Sequence, residues 1–195
     1  MTSIKDATNL IRLSRASISS YFTDETIDKS KTSKFKTKQG VFVTLTIEGK
    51  LRGCIGFPEP VLPLQDAIIQ SGRAAAFEDP RFEPLTEDEF KEVTIEISIL
   101  TVPEEIKVND PKDYPKNILI GRDGLIIRSS SGSGLLLPQV FTEYTATPQK
   151  ALEMTCQKAG LAIDFWKNNP CKIFKFQTEI FKEETPGGKI IPLRT

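Results

Sequence analysis

Two stretches of the chain alternate apolar and polar residues with the period of a half-buried strand. In VFVTLTI, Val41, Val43, Leu45 and Ile47 fall on one face, and in VTIEISIL (Val93 to Leu100) Ile95, Ile97 and Ile99 do the same, leaving Thr94, Glu96 and Ser98 on the other. Gly49-Lys50 suits a tight turn of type II′ after the first strand, because glycine accepts the positive φ of its first central position; the returning strand is then LRGCIGF, Leu51 to Phe57. Helical spacing appears elsewhere. Ile4, Ala7, Ile11, Ile18 and Phe22 predict an amphipathic opening helix with Ser3 and Asp6 at its start. Pro63 opens a second helix whose packed side carries Leu64, Ala67 or Ile68, Ser71 and Ala75, with Arg73 inside it. Thr86 with Glu89 has the form of a capping box for a short helix.

The second half follows a proline-rich connection (Pro103, Pro111, Pro115). There ILI-GRDG-LII, Ile118 to Ile127, predicts a hairpin around Asp123-Gly124, followed by a mobile SSSGSG segment. Thr147-Pro148 starts a helix over 148–159 closed by Gly160, and KIFKFQTEIF (Lys172 to Phe181) forms the final strand. Hairpins and separate helices without regular βαβ alternation predict an α+β fold: a mixed or antiparallel sheet with flanking helices, in two unequal lobes forming a cleft. Residues 1–195 read as a single domain with a larger and a smaller subdomain.

Composition narrows the chemistry. Lysines and arginines number 26, as do aspartates and glutamates, so net charge is zero and the whole-molecule field argues against nucleic acid as a partner; the lysine-rich stretch over 29–40 reads as a solvated loop or a local patch for an acidic partner. The start lacks a secretory pattern and no apolar run approaches the roughly 18 residues of a membrane span, which points to a cytoplasmic protein without membrane association. The chain contains no histidine, and Cys54, Cys156 and Cys171 lack zinc-ligand spacing, so no metal site is expected from them. Sequence allows a homodimer and names no cofactor.

Any chemistry must therefore rest on cysteine, carboxylates, lysine, arginine, tyrosine or backbone groups. LRGCIG places Cys54 between Gly53 and Gly56 with Arg52 two residues before it, on the same face of an extended strand. A thiol becomes a useful nucleophile when a neighbouring cation lowers its pKa from about 8.5. Cys54 then reads as nucleophile, Arg52 as thiolate or anion stabiliser and Glu96 as proton acceptor. Arg73, Asp79 and Arg81 would line a ligand site. The alternative is a structural cysteine, glycines that permit tight packing, and an ion-pair network. SSSGSG shares only composition with a phosphate loop.

LRGCIG, the AAA-x2-DPRF-x-PL block (Ala74 to Leu85), EISIL (Glu96 to Leu100), GRDGL (Gly121 to Leu125), GLLLPQV (Gly134 to Val140) and CQKAGL (Cys156 to Leu161) together closely resemble the AMMECR-type domain family. The motif cysteine maps to Cys54 and its arginine to Arg52. The resemblance implies an α+β fold of two unequal lobes. Prokaryotic relatives are encoded beside, or fused to, Memo-type and radical S-adenosylmethionine proteins, which implies those proteins as partners in a pathway that modifies a biomolecule. For the family it also implies a regulatory role in transcription, translation or RNA handling. Many relatives carry a tryptophan in the segment corresponding to EYTATP, where this chain has Ala146.

Overall fold

The computed structural model describes residues 2–23, 25–168 and 170–193 and is a mixed α+β structure containing two antiparallel sheets. The described residues divide into two compact units, one formed by residues up to Leu100 together with those from Glu179 on, and the other by Thr101–Thr178.

The first unit opens with helix α1 (Ile4–Ser19), where the Ser3 side chain accepts the Asp6 N–H as N-cap. Strands β1 (Val41–Ile47) and β2 (Lys50–Phe57) form a hairpin. Its turn residues are Glu48 and Gly49, both with positive φ (50° and 76°), so the turn has type I′ character rather than the expected II′ around Gly49-Lys50. Helix α2 (Leu64–Phe77) and the short helix α3 (Glu87–Glu92) follow, and the Thr86–Glu89 capping box is present in both directions. Strand β3 (Thr94–Leu100) pairs with β1, and two strands near the C-terminus complete a five-stranded sheet.

Alternation decides which face of that sheet is covered. Val41, Val43, Leu45, Ile95, Ile97 and Ile99 are buried with Leu10, Ile11 and Ile68 from α1 and α2, and each such isoleucine or leucine contributes about 2 kcal/mol by leaving water. The helices approach closely through small residues. A side chain at Gly72 would press on the Ser14 hydroxyl, and the Ser17 hydroxyl donates to the Ser14 carbonyl at 2.7 Å. Gly53 fills a similar role on the sheet, since a side chain there would collide with the Ala75 carbonyl of α2.

The second unit contains β4 (Glu104–Glu105), β5 (Gly124–Ser129), β6 (Gly132–Leu136) and β7 (Lys172–Phe176) in the order β4-β7-β5-β6, with helices α4 (Pro138–Glu143), α5 (Pro148–Lys158) and α6 (Phe165–Asn168). Its core joins Leu125, Ile127 and Ile173 to Phe141, Leu152, Cys156 and Trp166. The expected hairpin at Asp123-Gly124 is displaced by one element. Buried Asp123 accepts the Leu119 N–H at 3.0 Å and closes residues 119–123 as a turn, so the true hairpin is β5–β6, around Ser130-Ser131. SSSGSG is therefore a turn and the start of a strand. Gly132 and Gly134 leave room for the backbone of Ala159 at the end of α5.

The long final strand expected over 172–181 is two strands. Gln177 separates β7 from β8 (Thr178–Glu183), and β8 continues the other sheet as β2-β1-β3-β8-β9, ending with β9 (Ile190–Leu193).

Candidate functional site

Register assembles the site on the face of the five-stranded sheet opposite the isoleucine stripe, where Thr44, Cys54 and Glu96 are half-buried. Thr44 of β1 lies opposite Cys54 of β2 on one side and Glu96 of β3 on the other, so the three side chains form a row across adjacent strands. The Thr44 hydroxyl donates to the half-buried Cys54 Sγ at 3.2 Å. Burial raises the Glu96 carboxyl above its ordinary pKa, and the charge of Lys182 on β8 opposes that rise. Beside this row, the Thr46 and Thr94 hydroxyls lie 2.6 Å apart.

The backbone of Cys54 is held by the DPRF turn. Its N–H donates to Asp79 Oδ2 at 2.9 Å, and its carbonyl accepts from Arg81 Nη2 at 3.3 Å. Arg81 also donates to Asp79 through Nε (2.9 Å) and Nη2 (2.7 Å). Those bonds to the guanidinium, together with the N–H groups of Cys54 and Arg81, hold the Asp79 carboxyl well below the usual carboxylate range. Arg81 in turn titrates above its ordinary value, chiefly through the hydrogen bond to Asp79 and with a smaller contribution from the charge of Cys54. LRGCIG and DPRF are thus one construction, because the edge strand that carries the thiol has its open backbone groups satisfied by the turn.

Arg52 does not join Cys54. Between Leu45–Gly53 and Thr46–Leu51 the register of the hairpin shifts, which makes Arg52 the extra residue of a bulge and breaks the simple rule that residues two apart share a face. Its guanidinium meets Glu89 through two bonds, Nε to Oε1 at 2.9 Å and Nη2 to Oε2 at 3.0 Å, and donates to the Glu83 carbonyl at 2.9 Å. Glu89 is held down to about 2, first by Arg52 and then by the Thr86 N–H. The Arg52 and Arg81 guanidiniums lie 5.7 and 5.6 Å from the Phe82 ring. Arg73 is committed elsewhere, to the Ser17 carbonyl at 3.1 Å and the Ser20 hydroxyl at 2.9 Å near the end of α1.

Of the six residues expected at the site, Cys54 and Glu96 share the row, Asp79 and Arg81 brace its edge, and Arg52 and Arg73 are occupied by other partners. Thr44 and Lys182 were not anticipated. Thr44 had a visible signal, its place on the polar side of VFVTLTI, but its neighbours follow only from register. At Gly56 a side chain would collide with the Val41 carbonyl and the Phe42 ring, so this glycine permits tight packing.

The other two cysteines differ from Cys54. Cys156 is fully buried, and burial pushes its thiol up; burial does the same to Cys171. Among the described residues no group of three Cys, Asp or Glu side chains is placed to hold a metal ion, and no helix is long and apolar enough to cross a membrane. The row can therefore offer a thiol with a hydroxyl donor, a carboxyl, and two nearby cations to a polar ligand.

Comparison with known proteins agrees with the motif pattern. The AMMECR1 family model matches residues 11–181. Protein Ta0236 of Thermoplasma acidophilum is 51% identical over 191 residues, covering 96% of this chain and 92% of that protein, and Protein MJ0810 of Methanocaldococcus jannaschii is 43% identical, covering 98% and 96%. The crystal structure of the uncharacterized protein PH0010 from Pyrococcus horikoshii is similar with a TM-score of 0.85, at 41% identity and 96% coverage of both chains. With its motifs in order and its fold shared at this level of identity, the chain belongs to the AMMECR1 family.

Proposed function

We propose that the polar face of the five-stranded sheet binds a small polar or peptide-like ligand, and that Cys54 acts on it as a nucleophile. The observation that supports this reading is the hydroxyl donated by Thr44 to Cys54 Sγ, with the Arg81 charge nearby. Arg81 replaces Arg52 as the cation suited to an anionic group: both arginines are paired with a carboxylate, but the Arg52 side chain is 13% exposed and that of Arg81 53%, and Arg81 bonds the Cys54 carbonyl. Glu96 lies beyond Thr44, so it serves as proton donor or acceptor toward the ligand rather than as a direct partner of the thiol. Arg73 has no part in it.

The test is alkylation of Cys54 in a chain whose Cys156 and Cys171 are replaced by serine. Reaction with iodoacetamide in the folded protein at a rate comparable to, or above, that of the denatured chain is the expected result. Reaction only after denaturation would sink the nucleophile. It would favour a second reading, an accessory or scaffold protein for Memo-type or radical S-adenosylmethionine proteins. That reading draws on the commitment of Arg52, Asp79 and Glu89 to holding β2 in place. Co-purification with such partners that survives Cys54→Ala would support it.

A further inference from the structure

The lysine-rich stretch over 29–40 is not a loose loop. Thr32 is buried, the Leu64 N–H donates to the Thr37 carbonyl at 3.0 Å, the Gln65 N–H donates to the Phe35 carbonyl at 3.3 Å, and Lys38 bridges to Pro63. The stretch is thereby fixed along the start of α2. Together with the outer side of α1 it forms a groove of about 870 Å³, lined only by Lys, Arg, Ser, Thr, Asn and a single Asp.

Lys5, Arg12, Lys31 and Lys34 supply four positive charges there, and Asp6 supplies the one negative charge. Asp6 is already paired with Lys34 at 2.6 Å, and that bond to the lysine holds its carboxyl below the ordinary range. Lys5, Arg12 and Lys31 are exposed, and each lacks an ion pair among the described residues. In a chain of zero net charge, three cations without an ion pair around one groove, with Asp6 and Asp28 as the carboxylates near Lys5 and Lys31, are a local excess of positive charge.

Lys5 and Arg12 lie seven residues apart on the same side of α1, about 10 Å along the helix. A ligand with phosphates spaced along it meets both side chains in extended form, and Lys31 across the groove with them. The lining has no apolar or aromatic side chain to take a peptide's hydrophobic residues or to stack on a base. From this we infer that the groove between α1 and the lysine-rich stretch binds a ligand carrying two or more phosphates in succession, recognised by charge. None of its residues belongs to the Cys54 row, so the inference stands apart from the proposed thiol chemistry.

The test measures binding of a fluorescent uridine oligonucleotide to the full chain, with inorganic tripolyphosphate as competitor. The variant Lys5→Gln/Arg12→Gln/Lys31→Gln changes only exposed side chains, and an unchanged thermal unfolding curve verifies its fold. The expected result is binding at low salt that weakens at least about tenfold in the variant, with the salt slope reduced by roughly 0.7 for each lost phosphate contact. Competition by tripolyphosphate identifies free oligophosphate as a sufficient ligand. If the oligonucleotide binds and tripolyphosphate does not compete, the nucleic-acid backbone is the source of the phosphates. Failure of both to bind at low salt, or binding unaltered in the variant, would overturn the inference.

Discussion

Glu183 and Asp79 each accept a backbone N–H of the five-stranded sheet, and the arginine paired with each donates to a backbone carbonyl. Glu183 takes the Ile95 N–H at 2.9 Å while Arg15 donates to the Val93 carbonyl at 2.6 Å; Asp79 takes the Cys54 N–H while Arg81 donates to the Cys54 carbonyl. Their settings differ. Arg15 reaches Glu183 from α1 across 168 positions of sequence, is 21% exposed and lies over the Phe90 ring. Arg81 is two residues from Asp79 and 53% exposed. The same pairing is thus enclosed as a fastener in one region and left open to solvent beside a thiol in the other. An enclosed pair can serve only the fold, whereas a solvent-facing guanidinium can also meet a ligand.

Removing the enclosed carboxylate breaks the comparison most severely. Glu183→Ala leaves Arg15 without its carboxylate and the Ile95 N–H without an acceptor, and is expected to cost about 3 to 5 kcal/mol in urea unfolding. A loss below about 1 kcal/mol would mean that the inner pair is no more structural than a surface bridge.

At the outer pair, Asp79→Asn is expected to cost roughly 1 to 3 kcal/mol near neutral pH, because the Cys54 N–H and Arg81 lose a charged acceptor. The effect has a pH signature. The folded-state pKa of Asp79 is depressed, so its contribution is present above the ordinary carboxylate pKa and is lost as pH falls toward the folded value. Glu89 behaves in the same way, with its contribution lost between about 4.5 and about 2. The parent protein should therefore lose stability steadily below about pH 4.5, and Asp79→Asn should lose less over that range. Parallel acid limbs in the two proteins would show that Asp79 is not the linked group.

The difference between the two regions was only partly legible in the sequence. Alternation placed Glu96 opposite the isoleucine stripe, and Ser3, Thr86 and Thr147 announced helix starts because capping is a local interaction. Pairings across strands were out of reach. That Thr44 faces both Cys54 and Glu96 follows from register, and that Arg52 turns away follows from a bulge that alternation cannot locate. GRDG looked like a hairpin turn because Asp-Gly favours one, yet the burial of Asp123 against the Leu119 N–H made it a closed turn ahead of β5. Arg15 and Glu183 gave no signal at all, since neither belongs to a motif and their contact spans almost the whole chain.

The smallest expected effect is the sharpest test of the open region. Thr44→Val removes the hydroxyl that donates to Cys54 Sγ while keeping a β-branched side chain suited to a strand, so its cost in stability should stay within about 1 kcal/mol. If that hydroxyl supports the reacting sulfur, native alkylation of Cys54 at neutral pH should slow by about twofold to thirteenfold, the range one hydrogen bond of roughly 0.5 to 1.5 kcal/mol provides. Thr44→Ser restores the donor and should restore most of the rate. Equal slowing in both variants would assign the effect to packing around the thiol, and an unchanged rate in Thr44→Val would leave Arg81 as the group that distinguishes this region from the enclosed pair.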